Sequence, residues 1–263
     1  MIKLLNYVTP FYCNQKMLQV HIQNWESYPP EILNKMSIII VDDGSPEGFE
    51  AEPILKGTKL PIRLFRVDVD IPWNQHGARN LGMKFAGKEF TLLTDIDNLF
   101  DVRNIRKVFK VPVKKQRYYT FCRYKVSEDT DWGLRLKKPT LLEYKYHPNS
   151  FLLNPADFWK TGGYSTKYCG TYGGDGAFTR DLDKVALKVH LDANVEGGPV
   201  YLNYFPRGFL PDAGTQDNAW GAEGNPRKGF FKDEYRRRFD LRESIQSEED
   251  STPFPWREIN LNA

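Results

Sequence analysis

The sequence predicts an α/β protein with a mostly parallel central sheet flanked by helices. Three observations carry that expectation: short β-branched apolar runs suited to burial on both faces, helical segments that alternate with them, and acidic residues directly after two of the runs. The first run, 2–8, reads as a strand that Thr9-Pro10 ends. Residues 14–25 then place Met17, Leu18, Ile22 and Trp25 at helical spacing, and Tyr28-Pro29-Pro30 stops the helix. Ser37-Ile38-Ile39-Ile40-Val41 is continuous enough for a central strand, and Asp42-Asp43-Gly44-Ser45-Pro46 breaks it. Residues 62–67 form a further strand candidate, and 73–86 a helix with Gly87 at its stop. A third buried strand, 90–94, runs straight into Asp95-Ile96-Asp97. In such sheets ligands bind beyond the carboxyl ends of the strands, which is where both acidic clusters fall.

Beyond Val111 the pattern is less regular, with a strand expected over 118–126, a loop over 127–139, and recurrent aromatic residues. From Gly208 the chain is rich in Gly, Pro, Asp and Arg, with a helix expected over 232–245 and a polar stretch over 246–252. Pro253-Phe254-Pro255-Trp256 is expected to dock back on the body.

The 263 residues can bury a sizeable core without disulfide or metal staples, and 27% charged with 40% hydrophobic residues is ordinary for a globular protein. The 14% aromatic content favours a dense core. A formal charge of +3 suits an anionic ligand without indicating nucleic acid. Cys13, Cys122 and Cys169 are odd in number and far apart, which fits free thiols and excludes a closely spaced zinc site. No leader, cleavage site or spanning apolar run is evident, so the expectation is a cytoplasmic protein without a membrane span, its oligomeric state open. A dinucleotide oxidoreductase would need a Gly-x-Gly-x-x-Gly fingerprint that is absent.

Asp95 and Asp97 bring two carboxylates close to one point at a strand end, where Mn²⁺ or Mg²⁺ could bridge them to a diphosphate. Taken alone, the pair could equally be solvated loop acids. Context comes from three ordered motifs: Ile39-Ile40-Val41-Asp42-Asp43-Gly44-Ser45, His76-Gly77-Ala78-Arg79-Asn80-Leu81-Gly82, and Thr94-Asp95-Ile96-Asp97. In this order they resemble the nucleotide-binding half of family 2 glycosyltransferases, which have the GT-A (Rossmann-like) fold. The resemblance covers residues 4–98 well, extends more weakly to Val189, and leaves the C-terminal stretch unmatched.

The resemblance implies a metal-dependent transfer of a sugar from a nucleoside diphosphate donor, a UDP-sugar favoured, to an acceptor hydroxyl with inversion. It implies a nucleotide-sugar-binding half over 1–110 and an acceptor-binding and catalytic half over 111–207, and the composition of the remainder suggests a C-terminal arm or lid over 208–263. Carried over residue by residue, Asp42 and Asp43 contact the donor base or ribose, and Thr9 and Pro10 line the base pocket. Arg79 lies against the nucleotide, its charge equally available to Asp95 or Asp42. Asp95 serves donor and metal, and Asp97 the metal. Gly173-Gly174-Asp175-Gly176 resembles the segment that carries the general base, which makes Asp175 the catalytic candidate; the usual motif is Glu-Asp, and Gly174 stands in place of the Glu. A helix N-cap is the alternative role for Asp175. A late His often completes the metal set in such domains, and His190, after the run 185–189, is the candidate, with His147 beside Pro148 competing.

Two basic-aromatic stretches keep other classes open. Arg103, Arg106, Lys107, Lys110, Lys114, Lys115 and Arg117 lead into Tyr118-Tyr119, and Arg227-Lys228 stand with Phe230-Phe231 and Arg236, Arg237 and Arg238. They suit a solvated face, a glycosyltransferase that modifies hydroxymethylated pyrimidine in DNA, or a non-enzymatic nucleic-acid-binding protein. The acceptor is thus a saccharide, a small molecule or DNA. Tyr118, Tyr119, Trp132, Tyr144, Tyr146, Tyr164 and Tyr172 are expected to line its cleft, facing Asp175.

Overall fold

The computed structural model describes residues 2–71, 73–125, 146–169, 173–192, 199–205 and 251–262. Strands and helices alternate through the first half: β1 (Leu5–Phe11), α1 (Gln15–Glu26), α2 (Pro30–Leu33), β2 (Met36–Asp42), α3 (Glu52–Leu55), β3 (Ile62–Val67), α4 (Gln75–Phe85) and β4 (Thr91–Leu93). There follow β5 (Asn98–Leu99), α5 (Val102–Lys110), β6 (Arg117–Lys125), β7 (Phe151–Leu153), α6 (Pro155–Lys160), α7 (Gly174–Val185), β8 (Leu187–Leu191), β9 (Tyr201–Tyr204) and β10 (Trp256–Ile259).

The sheet runs β10-β3-β2-β1-β4-β7-β6-β9-β5, with β8 beside β6. Strands β3, β2, β1 and β4 are parallel neighbours, the block expected from the continuous apolar runs. Alternate side chains of these strands enter two different cores. Leu5, Tyr7, Ile38 and Ile40 pack with Met17, Leu18 and Trp25 of α1, whereas Val8, Ile39 and Val41 pack with Ala78 and Leu81 of α4. Helix α4 lies so close to the sheet that a Cβ on Gly82 would come within 2.4 Å of Val8 Cγ1, which explains a glycine inside a helix. Helix α1 begins as its sequence suggests, with Asn14 Oδ1 accepting the Met17 N–H at 3.3 Å.

One local expectation fails instructively: Thr9-Pro10 does not end β1, which continues to Phe11. The Asn6 N–H donates to Phe90 O and the Val8 carbonyl accepts from Thr94 N, so even-numbered residues turn their backbone toward β4. Strand β4 pairs only as far as Val8, so the N–H that Pro10 lacks would have had no ladder partner.

The C-terminal expectation holds for the residues described. Phe254 is buried against the α4 core, and β10 pairs antiparallel with β3, Trp256 opposite Val67. The loop expected over 127–139 and the helix over 232–245 lie outside the described residues. No helix among the described residues is long and apolar enough to cross a membrane.

Candidate functional site

Two acidic clusters reach the carboxyl edge of the parallel block. Asp42, the last residue of β2, accepts the backbone N–H groups of Ser45 and Ala51, each at 2.9 Å, and pairs with Arg66 Nη1 at 3.0 Å. Both of its oxygens are engaged inside the protein and the residue is buried, so Asp42 organises the loop after β2. Asp43 accepts the Asn74 amide at 2.7 Å, and burial pushes its carboxyl well above the usual range despite that hydrogen bond. Thr9 and Pro10 are buried in β1 one strand away.

The second cluster follows β4. One ligating atom each from Asp95, Asp97 and His147 lies within 4.8 Å of the others, the one such group of three among the described residues. His147 arrives because β7 runs antiparallel to β4: with Leu93 opposite Phe151, the turn before β7 falls beside the carboxyl end of β4. The Asn149 N–H reaches its Nδ1 at 3.1 Å, and Asn98 Nδ2 lies 3.2 Å from Nε2. Burial lowers the His147 pKa to about 4, leaving a neutral imidazole. Below the loop, His21 Nε2 donates to the Ile96 carbonyl at 2.8 Å, tying down the residue between the two acids.

His190 does not join this group. It sits opposite Thr120 on β8, three strands from β4 along the path β4-β7-β6-β8, or about 14 Å at ordinary strand spacing. There its Nδ1 contacts Thr120 Oγ1 at 2.6 Å and its ring stacks on Tyr146 at 3.7 Å. Of the two histidines weighed, the structure brings His147 and not His190 to Asp95 and Asp97.

Arg79, fully buried on α4, joins the second cluster to Asp175. Its Nη2 donates to Asp95 Oδ1 and its Nη1 lies 3.0 Å from Asp175 Oδ1, while the guanidinium sits 5.1 Å over the Tyr164 ring. Of the two acids weighed for Arg79, the structure pairs it with Asp95. Asp175 occupies the first turn of α7, about a quarter exposed, and makes no capping hydrogen bond to its own helix; Gly173 is the cap residue. Burial would raise the Asp175 pKa, but Arg79, with His76 and Asn149, holds it well below the usual carboxylate range. Asn149 Nδ2 also donates to Asp95 Oδ2 at 3.3 Å. Asn74, Asn149 and His21 have no motif that singles them out, and His76 opens the second motif without a role marked for it, because each acts through a partner far away in sequence.

The aromatic cleft is only partly as expected. Tyr118 and Tyr119 are buried in the cores, their hydroxyls donating to Asp183 and to Pro112 O respectively, and Tyr164 is buried in a stack on Phe178 at 3.9 Å. These three are packing residues; Tyr146 alone is half-buried at the surface, and Trp132, Tyr144 and Tyr172 lie outside the described residues. Of the first basic stretch, Arg103, Arg106 and Lys110 form an exposed face of α5, with Arg106 paired to Glu31 at 3.3 Å. Arg236, Arg237 and Arg238 lie outside the described residues.

Comparison with known proteins gives this geometry a context. Residues 8–172 match the model of glycosyl transferase family 2. No curated protein matches the chain. Among solved structures, GalNAc-T7 with UDP, GalNAc and Mn²⁺ aligns with a TM-score of 0.54 at 13% identity, over 78% of this chain and 44% of that one. TarS 1-349 of S. aureus in complex with UDP-GlcNAc aligns at 0.55 and 14%, over 78% of this chain and 59% of that one. TarS 1-349 in a second structure aligns at 0.56 and 15%, over 90% and 72%. At these identities the likeness is one of fold, the GT-A arrangement, and the alignment spans less than two thirds of the first two proteins' chains.

Proposed function

The chain belongs to glycosyl transferase family 2, and from that premise we propose that it moves a sugar from a UDP-sugar to an acceptor hydroxyl with inversion, using a divalent metal. The observation that carries this reading is the meeting of Asp95, Asp97 and His147 at the end of β4, with Asp175 tied to the same place through Arg79. The solved relatives of this fold that hold UDP or a UDP-sugar support the choice of donor.

Two carboxylates and a neutral imidazole fit a divalent cation of intermediate hardness. The imidazole favours Mn²⁺ over Mg²⁺, which prefers oxygen ligands alone. A bound cation would neutralise charge on the departing diphosphate. Asp95 and Asp97 supply the anionic ligands, and His21 keeps their loop in place from below. Asp43, at the end of β2, is assigned to the polar edge of the donor base, with Thr9 and Pro10 of β1 as the neighbouring wall. Arg79 cannot lose its proton and stands between the metal-binding acids and the base, so it keeps two carboxylates close without mutual repulsion.

Asp175 is assigned as the general base. The acceptor oxygen forms its bond to the anomeric carbon as the carbon–oxygen bond to the diphosphate breaks; the bonding pair leaves with UDP, and the acceptor proton passes to Asp175. A single displacement from the opposite face inverts the anomeric centre. Because Arg79 makes Asp175 a weak base, proton transfer should come late, once the attacking oxygen has become acidic.

The test is a panel of UDP-glucose, UDP-galactose, UDP-GlcNAc and UDP-GalNAc with Mn²⁺, following UDP release with water as acceptor. At least one donor should be turned over in a Mn²⁺-dependent way, and Asp175→Asn should lower that rate by about 10²-fold or more while leaving UDP binding intact. Turnover indifferent to chelation would remove the metal, and turnover indifferent to Asp175→Asn would remove the base.

A further inference from the structure

Gly174 opens α7 directly before Asp175. Its backbone does not require glycine, since it is not among the residues of positive φ. The space beside it does: a Cβ at this position would lie 2.3 Å from His76 Cε1 and 2.6 Å from Nε2. The His76 ring therefore fills the room that any side chain at 174 would use, and the glycine next to Asp175 is the counterpart of that histidine.

His76 is placed with care. It lies three residues before Arg79 on α4, so both face the amino end of α7. The ring is fully buried, stacked on Tyr164 at 5.3 Å and 19°, with Tyr168 edge-on at 6.3 Å. Neither ring nitrogen has a well-formed hydrogen bond among the described residues, an expensive state for a buried imidazole. Yet Nε2 stands 3.4 Å from Asp175 Oδ1, the same oxygen that Arg79 Nη1 approaches at 3.0 Å. A shift of a few tenths of an ångström would convert that approach into a bond.

We propose that His76 is a positioning residue for Asp175: Nε2–H and Arg79 Nη1–H together hold Oδ1, which fixes the plane of the carboxylate and presents Oδ2 to the acceptor hydroxyl. The inference rests on the assignment of Asp175 as base and adds to it the group that sets its orientation. His76 touches neither donor nor acceptor, and its effect appears in turnover and not in donor affinity.

The experiment compares His76→Met, His76→Gln, Gly174→Ala and Asp175→Asn by UDP release from the donor turned over fastest in the four-sugar panel, with Mn²⁺ affinity for UDP and thermal unfolding measured alongside. Met keeps most of the volume without a donor, whereas the Gln amide can place an N–H near the position of Nε2. His76→Met should lower kcat by about 10-fold or more, with KM for the donor and Kd for UDP within about twofold of wild type, and His76→Gln should recover most of the loss. Gly174→Ala, which must displace the ring, should resemble His76→Met in kcat. If Asp175→Asn is inactive and folded His76→Met turns over like wild type, the positioning role is overturned while the base stands. Equal loss in Met and Gln variants would also overturn it, since bulk alone would then be what matters. If Asp175→Asn remains active, the base assignment itself has failed.

Discussion

The ends of β2 and β4 look alike in sequence, each an apolar run followed by two acids, yet the structure surrounds them differently. After β2, Asp42 gives both oxygens to Ser45 N, Ala51 N and Arg66, and Asp43 is buried against Asn74. After β4, Asp95 and Asp97 stay partly exposed and converge with His147, and Arg79 donates to Asp95. The difference lies in exposure: Asp95 stays partly open to solvent although Arg79 and Asn149 each hold one of its oxygens, whereas Asp42 is closed off by the loop that follows it. Position sets the opportunity, and what covers the carboxylate decides whether it is kept.

The sharpest way to break this contrast is to remove one acid from each end. Asp97→Ala should abolish the Mn²⁺-dependent part of UDP binding, a loss of about 100-fold or more in affinity by calorimetric titration, with little change in stability. Asp42→Ala should do the reverse. Leaving two buried N–H donors and Arg66 without their acceptor should cost about 2–4 kcal/mol in urea unfolding, while the ratio of UDP affinities with and without Mn²⁺ is preserved. If Asp42→Ala erased the metal-dependent increment, the division of labour between the two ends would be wrong.

A smaller effect distinguishes the ends by pH. Burial raises the Asp43 carboxyl, so the stability it contributes is full at low pH and is lost as pH rises through its folded pKa. The loop after β4 leans on His21, which burial depresses to about 4 against an ordinary 6.5, and His147 is lowered to the same value. For each imidazole the unfolded chain binds more protons below pH 6.5, so stability is full above that pH and falls as pH drops toward 4, by up to about 3 kcal/mol per group. Urea unfolding as a function of pH should therefore show Asp43→Asn losing the decline that sets in above the ordinary carboxylate pKa and His21→Gln losing roughly half of the acid decline. An unchanged acid limb in His21→Gln would mean that this histidine does not brace the loop.

The parallel block was legible because its signals are local. Residues 37–41 and 62–67 could be placed from apolar periodicity and breakers alone, and β2 and β3 fall there within a residue. Asn14 announced the start of α1 for the same reason. Pro10 misled because a proline reads as a stop unless one knows that β4 is too short to need its N–H. His190 misled because its apolar approach looks like that of a ligand, while His147 depends on an antiparallel strand of three residues with almost no sequence signature.

By itself the sequence determined the alternation of strands and helices, the edge at which the acids would gather, and the family whose motifs it carries. Those follow from backbone propensities and side-chain periodicities that act over a few residues. The tertiary structure alone decided that Asp42 is spent on its loop, that Arg79 bridges Asp95 and Asp175, that His147 and not His190 meets the acids, and that β10 returns to β3 from far along the chain. Each of these is a contact between segments distant in sequence, set by strand register and by which helices share a face of the sheet, and no local pattern encodes it.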